Sequence, residues 1–152
     1  MKRFVLALVL SLSLVIGFTS AAYCEDSSII GKWKTIDDET NEPKSIVEIY
    51  ERDGKYYGKI VDLFRKPGED PNPVCKDCPK DDPRKDQPIR GMEIIKDLVK
   101  RDSGEYTNGT ILDPKAGEGK IYTCKIWKED GLLKVRGYVA FFYRTQTWHK
   151  VD

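Results

Sequence analysis

Apolar and polar residues alternate with a period of two over much of the chain, a pattern typical of half-buried β-strands. In residues 45–51, Val47 and Ile49 fall on one face and the residues between them on the other. The pair Asp53-Gly54 comes directly after, and Asp-Gly favours a tight hairpin turn. The same alternation predicts further strands over residues 55–64, 105–112, 120–127 and 132–143.

One of the predicted strands depends on the interpretation of an ambiguous pattern. Residues 92–100 fit helical spacing through their apolar positions, but their isoleucine and valine content favours a strand, which we predict. Residues 132–143 are predicted as one strand, with Leu133, Val135 and Phe141 among the residues on its core face.

Residues 65–88 differ in kind from the rest of the chain. They hold six of the eight prolines and twelve charged residues, and Val74 is their only aliphatic residue. We therefore expect this segment to contribute no core. A connection of this length is uncommon in a compact domain unless it is a lid, a binding loop or a mobile ornament.

Successive hairpins with no long helix between them predict a mostly β domain over residues 29–152. A small antiparallel sheet with this many strands usually removes its edges by closing on itself. We therefore predict a single antiparallel up-and-down β-barrel with a long Pro-rich loop insertion at residues 65–88.

The N-terminus has the pattern of a secretory signal peptide. Two basic residues precede an apolar stretch at 4–18, which is shorter than the roughly 20 residues of a membrane-spanning helix. We expect a signal peptide over residues 1–22, with cleavage after Ala22 or Cys24, and therefore a periplasmic or secreted protein with no membrane span after cleavage. Tyr23 stands where a lipoprotein signal would have a small residue, so acylation of Cys24 is not expected.

Charge and length narrow the classes of function. Loss of Lys2 and Arg3 with the leader leaves 24 basic against 25 acidic residues, so no nucleic-acid partner is expected. A mature chain of about 130 residues is long enough for one domain that buries about two-thirds of its unfolded surface.

Three cysteines remain in a compartment that favours disulfides. Cys75 and Cys78 have redox-motif spacing, but they lie among prolines rather than at a helix N-terminus, so we predict a structural disulfide between them. Cys124 alternates with apolar residues and is predicted to be a buried, unreactive thiol. The alternatives are a zinc site that adds Cys124 and His149 to the pair, or a Cys124–His149 dyad. We expect no metal and no cofactor.

Several sequence strings resemble a known family. Gly31-Lys32-Trp33 at the first strand, with Arg144 and Trp148 in the last, resembles the calycin arrangement, in which a first-strand tryptophan packs under an arginine near the chain's end. Four longer strings resemble a family of exported bacterial proteins known as a domain of unknown function, DUF2147. This resemblance runs from Gly31 to the C-terminus and implies a lipocalin-like barrel, but no established activity. The strings are NPVCKDC at 72–78, GTILDP at 109–114, LKVRGY at 133–138 and RTQTW at 144–148.

Two sets of residues are candidates for a ligand site. Trp33, Arg136, Arg144 and Trp148 either tie the first strand to the last as a barrel-end plug, through a guanidinium stacked on an indole ring, or anchor a ligand's polar head group.

Glu48 and Asp62 share a strand face with aromatic or aliphatic neighbours and are the carboxylates of interest for acid–base chemistry. The alternative is that both carboxylates lie on an outward, solvated face of the sheet.

The leading hypothesis is a non-enzymatic binding module for a small apolar or amphipathic ligand, and we assign no catalytic residue. The second hypothesis is a cell-envelope interaction protein with a solid core, which works through the Pro-rich loop or through exposed aromatics such as Tyr56, Tyr57 and Tyr106. The third is an enzyme with a carboxylate or Cys/His site, for which the chain offers a single histidine and no phosphate-binding, zinc-protease or serine-elbow motif.

Overall fold

A computed structural model describes residues 28–114 and 120–152. The signal peptide predicted at 1–22, with its two cleavage points, lies outside these residues. The described residues form eight strands, and no helix among them is long and apolar enough to cross a membrane. The strands are β1 Gly31–Ile36, β2 Pro43–Arg52, β3 Lys55–Leu63, β4 Glu93–Lys100, β5 Tyr106–Leu112, β6 Ile121–Glu129, β7 Leu132–Val139 and β8 Phe142–Val151.

Each strand pairs antiparallel with the next, and β8 returns to pair with β1. The sheet is thereby closed, which confirms the predicted antiparallel up-and-down barrel. The segment with mixed helix and strand signals is strand β4, as predicted. Strands β1, β3, β5 and β7 all finish at one end of the barrel, which we call the mouth end, and begin at the other, which we call the closed end.

The prediction of one strand over residues 132–143 is wrong. The chain turns through Ala140 and Phe141, so that Val139 pairs with Phe142 across a tight hairpin. Ala140 has a φ of 50°, and the side chain of Phe141 is 98% exposed instead of facing the core. Neither glycine, proline nor asparagine marks this turn, and apolar residues continue through it. The alternation of the sequence therefore gave no sign of the reversal.

The closed end is filled by large side chains. Trp33 on β1 is fully buried, and its indole Nε1 donates to the carbonyl oxygen of Ile29 at 2.8 Å. Tyr106 on β5 is also buried and packs edge-on against Tyr56, with ring centroids 4.7 Å apart. The indole N–H has a hydrogen-bond acceptor and the two tyrosine rings pack on each other, so side chains fill this end of the interior. The expectation that Tyr106 is an exposed aromatic is wrong.

Gly109 allows β4 and β5 to approach each other closely. A Cβ atom at this position would lie 2.6 Å from the carbonyl oxygen of Lys96 and 2.7 Å from the side chain of Leu98. Asn108, directly before it, has a φ of 64°, at a shift in the pairing of β5 with β6. The sequence Asn-Gly here marks a bulge inside a strand, since it lets the backbone bend without a clash.

The segment between β3 and β4 is held to the mouth end of the barrel. Its only bridge in the sheet pattern of the described residues joins Val74 to Pro88. Cys75 and Cys78 lie at disulfide distance, 1.97 Å between sulfurs, and both are buried. The expectation that this segment contributes no core is therefore wrong at the two cysteines. The Sγ atom of Cys75 also lies 3.7 Å from the carbonyl oxygen of Pro114, across the mouth end.

Candidate ligand-binding site

The mouth half of the barrel interior contains a cavity of about 330 Å³. It forms because the inward positions there carry smaller side chains than the aromatic rings of the closed end. Thr35, Ser45 and Gly137 are three of these positions, and all line the cavity. A volume of this size is at the lower end of the range for ligand pockets, which is roughly 300 to 1,000 Å³.

The walls of the cavity are mainly aliphatic. They come from inward positions on the strands and from the segment that follows β3, so the long connection also contributes to the cavity through Ile89. An apolar surface of this kind has no group that would bind water strongly, and it favours an apolar guest. The main aliphatic residues are Ile36, Ile60, Leu63, Ile89, Ile94 and Val135.

A chain of polar contacts crosses one side of the mouth. The guanidinium of Arg144 lies 2.5 Å from the carboxylate of Asp38. The side-chain amide of Gln146 donates to the same carboxylate at 2.6 Å, and its oxygen accepts from the indole Nε1 of Trp148 at 3.2 Å. The β1–β2 connection is thus tied to alternate inward residues of β8. These four side chains put charged donors and acceptors at the mouth and an indole deeper in.

Two hydroxyls lie inside the apolar part. Thr35 and Ser45 are both buried, and their side-chain oxygens lie 2.8 Å apart. The backbone N–H of Ser45 also donates to the Thr35 hydroxyl at 3.1 Å. The two hydroxyls therefore have hydrogen-bond partners within the protein. On another side of the mouth, Lys44 and Asp113 form an ion pair of 3.6 Å.

Of the six predicted ligand-site residues, the structure brings Arg144 and Trp148 to the cavity. Trp33 is inside the barrel but lies at the closed end, with Lys150 5.8 Å from its ring centre where the calycin arrangement implied an arginine. Arg136 points outward from β7, between the rings of Trp127 and Tyr143.

Glu48 and Asp62 also lie outside the cavity. Glu48 pairs with Lys59 at 3.0 Å and Asp62 with Arg90 at 2.9 Å. Both carboxylates are partly exposed on the outer face of the barrel, which is the alternative stated for them. They do not form an acid pair in a cleft.

The thiol and imidazole chemistry considered from the sequence does not assemble. Cys124 is buried inside the barrel, and burial raises the pKa of its thiol to about 12, which makes it a poor nucleophile. His149 is exposed on β8. Cys75 and Cys78 are bonded to each other, and the described residues hold no group of three or more His, Cys, Asp and Glu side chains that could bind a metal.

Sequence reasoning missed Asp38, Gln146, Thr35 and Ser45. Thr35 and Ser45 had a detectable signal, because each alternates with buried residues and so must face inward. Gln146 stands two residues before Trp148 in β8, and it therefore faces the same side of the strand. Asp38 had no signal, since a loop residue reaches β8 only after the barrel has closed.

Comparisons with known proteins agree with this architecture. Residues 31–150 match the family described as "Uncharacterized protein conserved in bacteria (DUF2147)". A solved structure from Helicobacter pylori, protein HP1028, is described as belonging to the lipocalin family. It superposes with a TM-score of 0.68 at 19% identity, over 82% of this chain and 84% of that chain. At this identity the likeness concerns the fold, which is lipocalin-like. No curated protein matches the sequence.

Proposed function

Since the chain belongs to the bacterial DUF2147 family and folds as a lipocalin-like barrel, we propose that it is a non-enzymatic binding protein for a small amphipathic ligand. The fold by itself does not specify a function, because one fold serves many. The observation that carries the proposal is the cavity. It is concave and pre-formed, with mainly apolar walls and a few polar groups, most of them at the mouth, which is the usual construction of a small-molecule site.

The contacts at the mouth suggest how such a ligand is oriented. Its apolar part lies against the aliphatic walls and the Trp148 ring, since burial there removes apolar surface from water. Its polar end lies at Arg144 and Asp38. Because Asp38 already neutralises Arg144, the mouth offers a hydrogen-bond donor and an acceptor together. This combination suits a hydroxyl, amide or carboxyl head group more than a multiply charged one.

The solid-core alternative gains no support, because the interior contains the cavity. We propose in addition that the protein works outside the cytoplasm, in the periplasm or after secretion. The predicted leader at 1–22 supports this location. The Cys75–Cys78 pair at disulfide distance supports it too, since such bonds persist in oxidising compartments.

Titration with N-phenyl-1-naphthylamine, an uncharged apolar dye that fluoresces when buried, tests the cavity directly. We expect saturable binding to one site. Leu63→Trp replaces an aliphatic side chain of the cavity wall by a large ring, and we expect it to weaken dye binding by about tenfold or more. Phe64→Trp is the matched control, because Phe64 is the next residue, lies outside the cavity and is half exposed. Equal binding by both variants, with both folded, would refute the cavity as the site.

Native and denaturing mass spectrometry of the protein from the expressing cell would identify a natural ligand. A discrete extra mass that denaturation releases is the expected result. The denatured mass also reports the N-terminus, and the loss of two hydrogens at Cys75 and Cys78. A bare native mass, unchanged after incubation with a lipid extract, would count against a carrier.

A further inference from the structure

The outer face of β6, β7 and β8 has an unusual composition. Nine of its outward positions hold three cations, three aromatic residues and three threonines, and no acid. The strand register aligns them in three rows across the sheet. They are Thr123, Lys125 and Trp127 on β6, Lys134, Arg136 and Tyr138 on β7, and Tyr143, Thr145 and Thr147 on β8. We call these nine residues the basic face.

The cations of the basic face are only partly neutralised. Lys125 lies directly opposite Arg136, and like charges opposite each other across strands are destabilising. Lys125 pairs with Glu105 at 2.7 Å, and both cations lower the pKa of that carboxyl, Lys125 more strongly. Lys134 reaches Glu129 at 3.8 Å. Three cations thus face two acids at the edges of the face, and positive charge remains.

Arg136 is held in place by neutral groups. Its Nε donates to Thr145 at 2.8 Å, and its guanidinium lies 4.3 Å from the ring centre of Tyr143 and 5.1 Å from that of Trp127. The rings of Tyr138 and Tyr143 lie beside each other, 6.1 Å apart. A cation ordered between aromatic rings keeps its charge and most of its donors available to an anion outside the barrel.

The basic face ends, toward the mouth, in an apolar tip. Phe141 is 98% exposed and Phe142 78% exposed at the β7–β8 turn, and Ile121 and Val139 beside it are about half exposed. Large exposed apolar side chains grouped in this way mark an interaction surface. Phe142 and Val139 also line the cavity, so the tip is continuous with its mouth.

We propose that the protein docks on a lipid bilayer that contains anionic phospholipids, with the β7–β8 tip inserted and the basic face toward the head groups. The order of residues along the hairpin carries the proposal. Phenylalanines come first, then Tyr138 and Tyr143, then the cations Lys125 and Arg136. A bilayer interface has the same order, from hydrocarbon to the aromatic-rich boundary to the negatively charged surface. Docking in this orientation brings the cavity mouth to the lipid.

This inference goes beyond the proposed carrier function and does not require a ligand in the cavity. A soluble acidic partner would fit the cations but would leave Phe141 and Phe142 in water. A second copy of this chain would cover the phenylalanines but would bring two basic faces together. The bilayer satisfies both halves of the surface.

Flotation with vesicles tests the proposal. The vesicles are phosphatidylcholine alone, or about three parts of it to one part phosphatidylglycerol. The protein is used as isolated from the expressing cell, and every variant carries the same N-terminus, so any contribution of the leader is common to all. Phe141→Ser removes the most exposed ring without touching the cavity. Ile30→Ser is its control, since Ile30 is an exposed apolar residue at the closed end.

Lys134→Gln with Arg136→Gln removes two cations of the basic face. Its control is Lys55→Gln with Lys59→Gln, which removes two cations from β3, on the opposite side of the barrel. Thermal unfolding shows that each variant is folded. We expect binding to the anionic vesicles to fall about tenfold for Phe141→Ser and about thirtyfold for the basic-face pair, and the controls to bind as the parent does.

We also expect binding to weaken as salt is raised and to be much lower on phosphatidylcholine alone. The proposal is overturned if the parent does not bind anionic vesicles, or if the variants and their controls bind alike. It is also overturned if Phe141→Ser and the parent bind heparin in solution equally tightly while neither binds vesicles. A dimer in solution that dissociates in Phe141→Ser would show that a second copy covers the tip, and would overturn it too.

Discussion

The indole N–H of Trp148 donates a hydrogen bond to the side-chain oxygen of Gln146, 3.2 Å away. Because Gln146 also donates to Asp38, this one amide connects the buried ring to the loop at the mouth. We predict that Gln146→Leu lowers the free energy of unfolding by about 1 to 3 kcal/mol, since it leaves a buried N–H without an acceptor. Urea unfolding measures this. Thr147→Val, at the neighbouring outward position, should change stability by less than about 0.5 kcal/mol.

The hydroxyls of Thr35 and Ser45 are hydrogen-bonded to each other inside the barrel. We predict that Thr35→Val costs about 1 to 3 kcal/mol, because the hydroxyl and the backbone N–H of Ser45 both lose a partner. Thr35→Ser keeps the hydroxyl and should cost much less. The double variant Thr35→Val with Ser45→Ala should be more stable than the two single effects add up to, by about 1 kcal/mol in a double-mutant cycle. Strict additivity would show that the two hydroxyls do not interact.

Cys124 should respond to pH only in the alkaline range. Burial raises the pKa of its thiol from 9.0 to about 12, so between these values the folded chain keeps a proton that the unfolded chain has lost. The stability that this group contributes is therefore fully present below pH 9 and is lost as pH rises toward 12, by about 1.4 kcal/mol per pH unit. We predict that Cys124→Ala reduces the slope of stability against pH between 9 and 11. Unchanged slopes would mean that the thiol ionises in the folded state.

Asp82 should show the opposite pH dependence. Its carboxylate pairs with Arg84 at 2.7 Å, and hydrogen bonds from Arg84 lower its pKa to about 2. The resulting stability is present above about pH 4 and is lost as pH falls toward 2. We predict that Asp82→Asn removes about 1 kcal/mol at pH 7 and much less at pH 2, measured by denaturant unfolding. Asp81→Asn is the matched control at the neighbouring residue. A deficit that persists at pH 2 would assign Asp82 a role other than charge.

The two cysteines between β3 and β4 offer a further test. We predict that Cys75→Ser with Cys78→Ser lowers stability by about 2 kcal/mol, the amount expected for so short a ring, and more if the buried hydroxyls find no partner. Reducing agent should lower the melting temperature of the parent and leave that of the double variant unchanged. If reductant affects both chains equally, the bond is not the cause.

The strands were predictable from sequence because their signal is local. Alternation of apolar residues fixed which face of β2 is buried, and Asp53-Gly54 marked its hairpin. The reversal at Ala140 was not predictable from the same signal, since the residues on both sides of it are apolar and only the pairing of Val139 with Phe142 reveals it. One missed turn changed the number of strands by one.

The candidate site was only partly predictable, for a different reason. Arg144 and Trp148 were predicted from their resemblance to the calycin arrangement, and both line the cavity. Arg136 also has a guanidinium that could bind a polar head group, but it stands at an outward position of β7. The contact of Asp38 with Arg144 joins residues from opposite ends of the chain. Such a contact depends on closure of the sheet, which no local pattern encodes.

That closure also has a kinetic consequence. Seven of the eight strand pairings join consecutive strands, which a chain can form by short searches, but the pairing of β1 with β8 joins Lys34 to His149. Its loop-closure entropy is the largest of any pairing in the sheet. The hairpins therefore have the advantage early in folding, and the seam between β1 and β8 closes late. Until it does, both strands have open edges, and the stage before closure is when the chain is most exposed to aggregation.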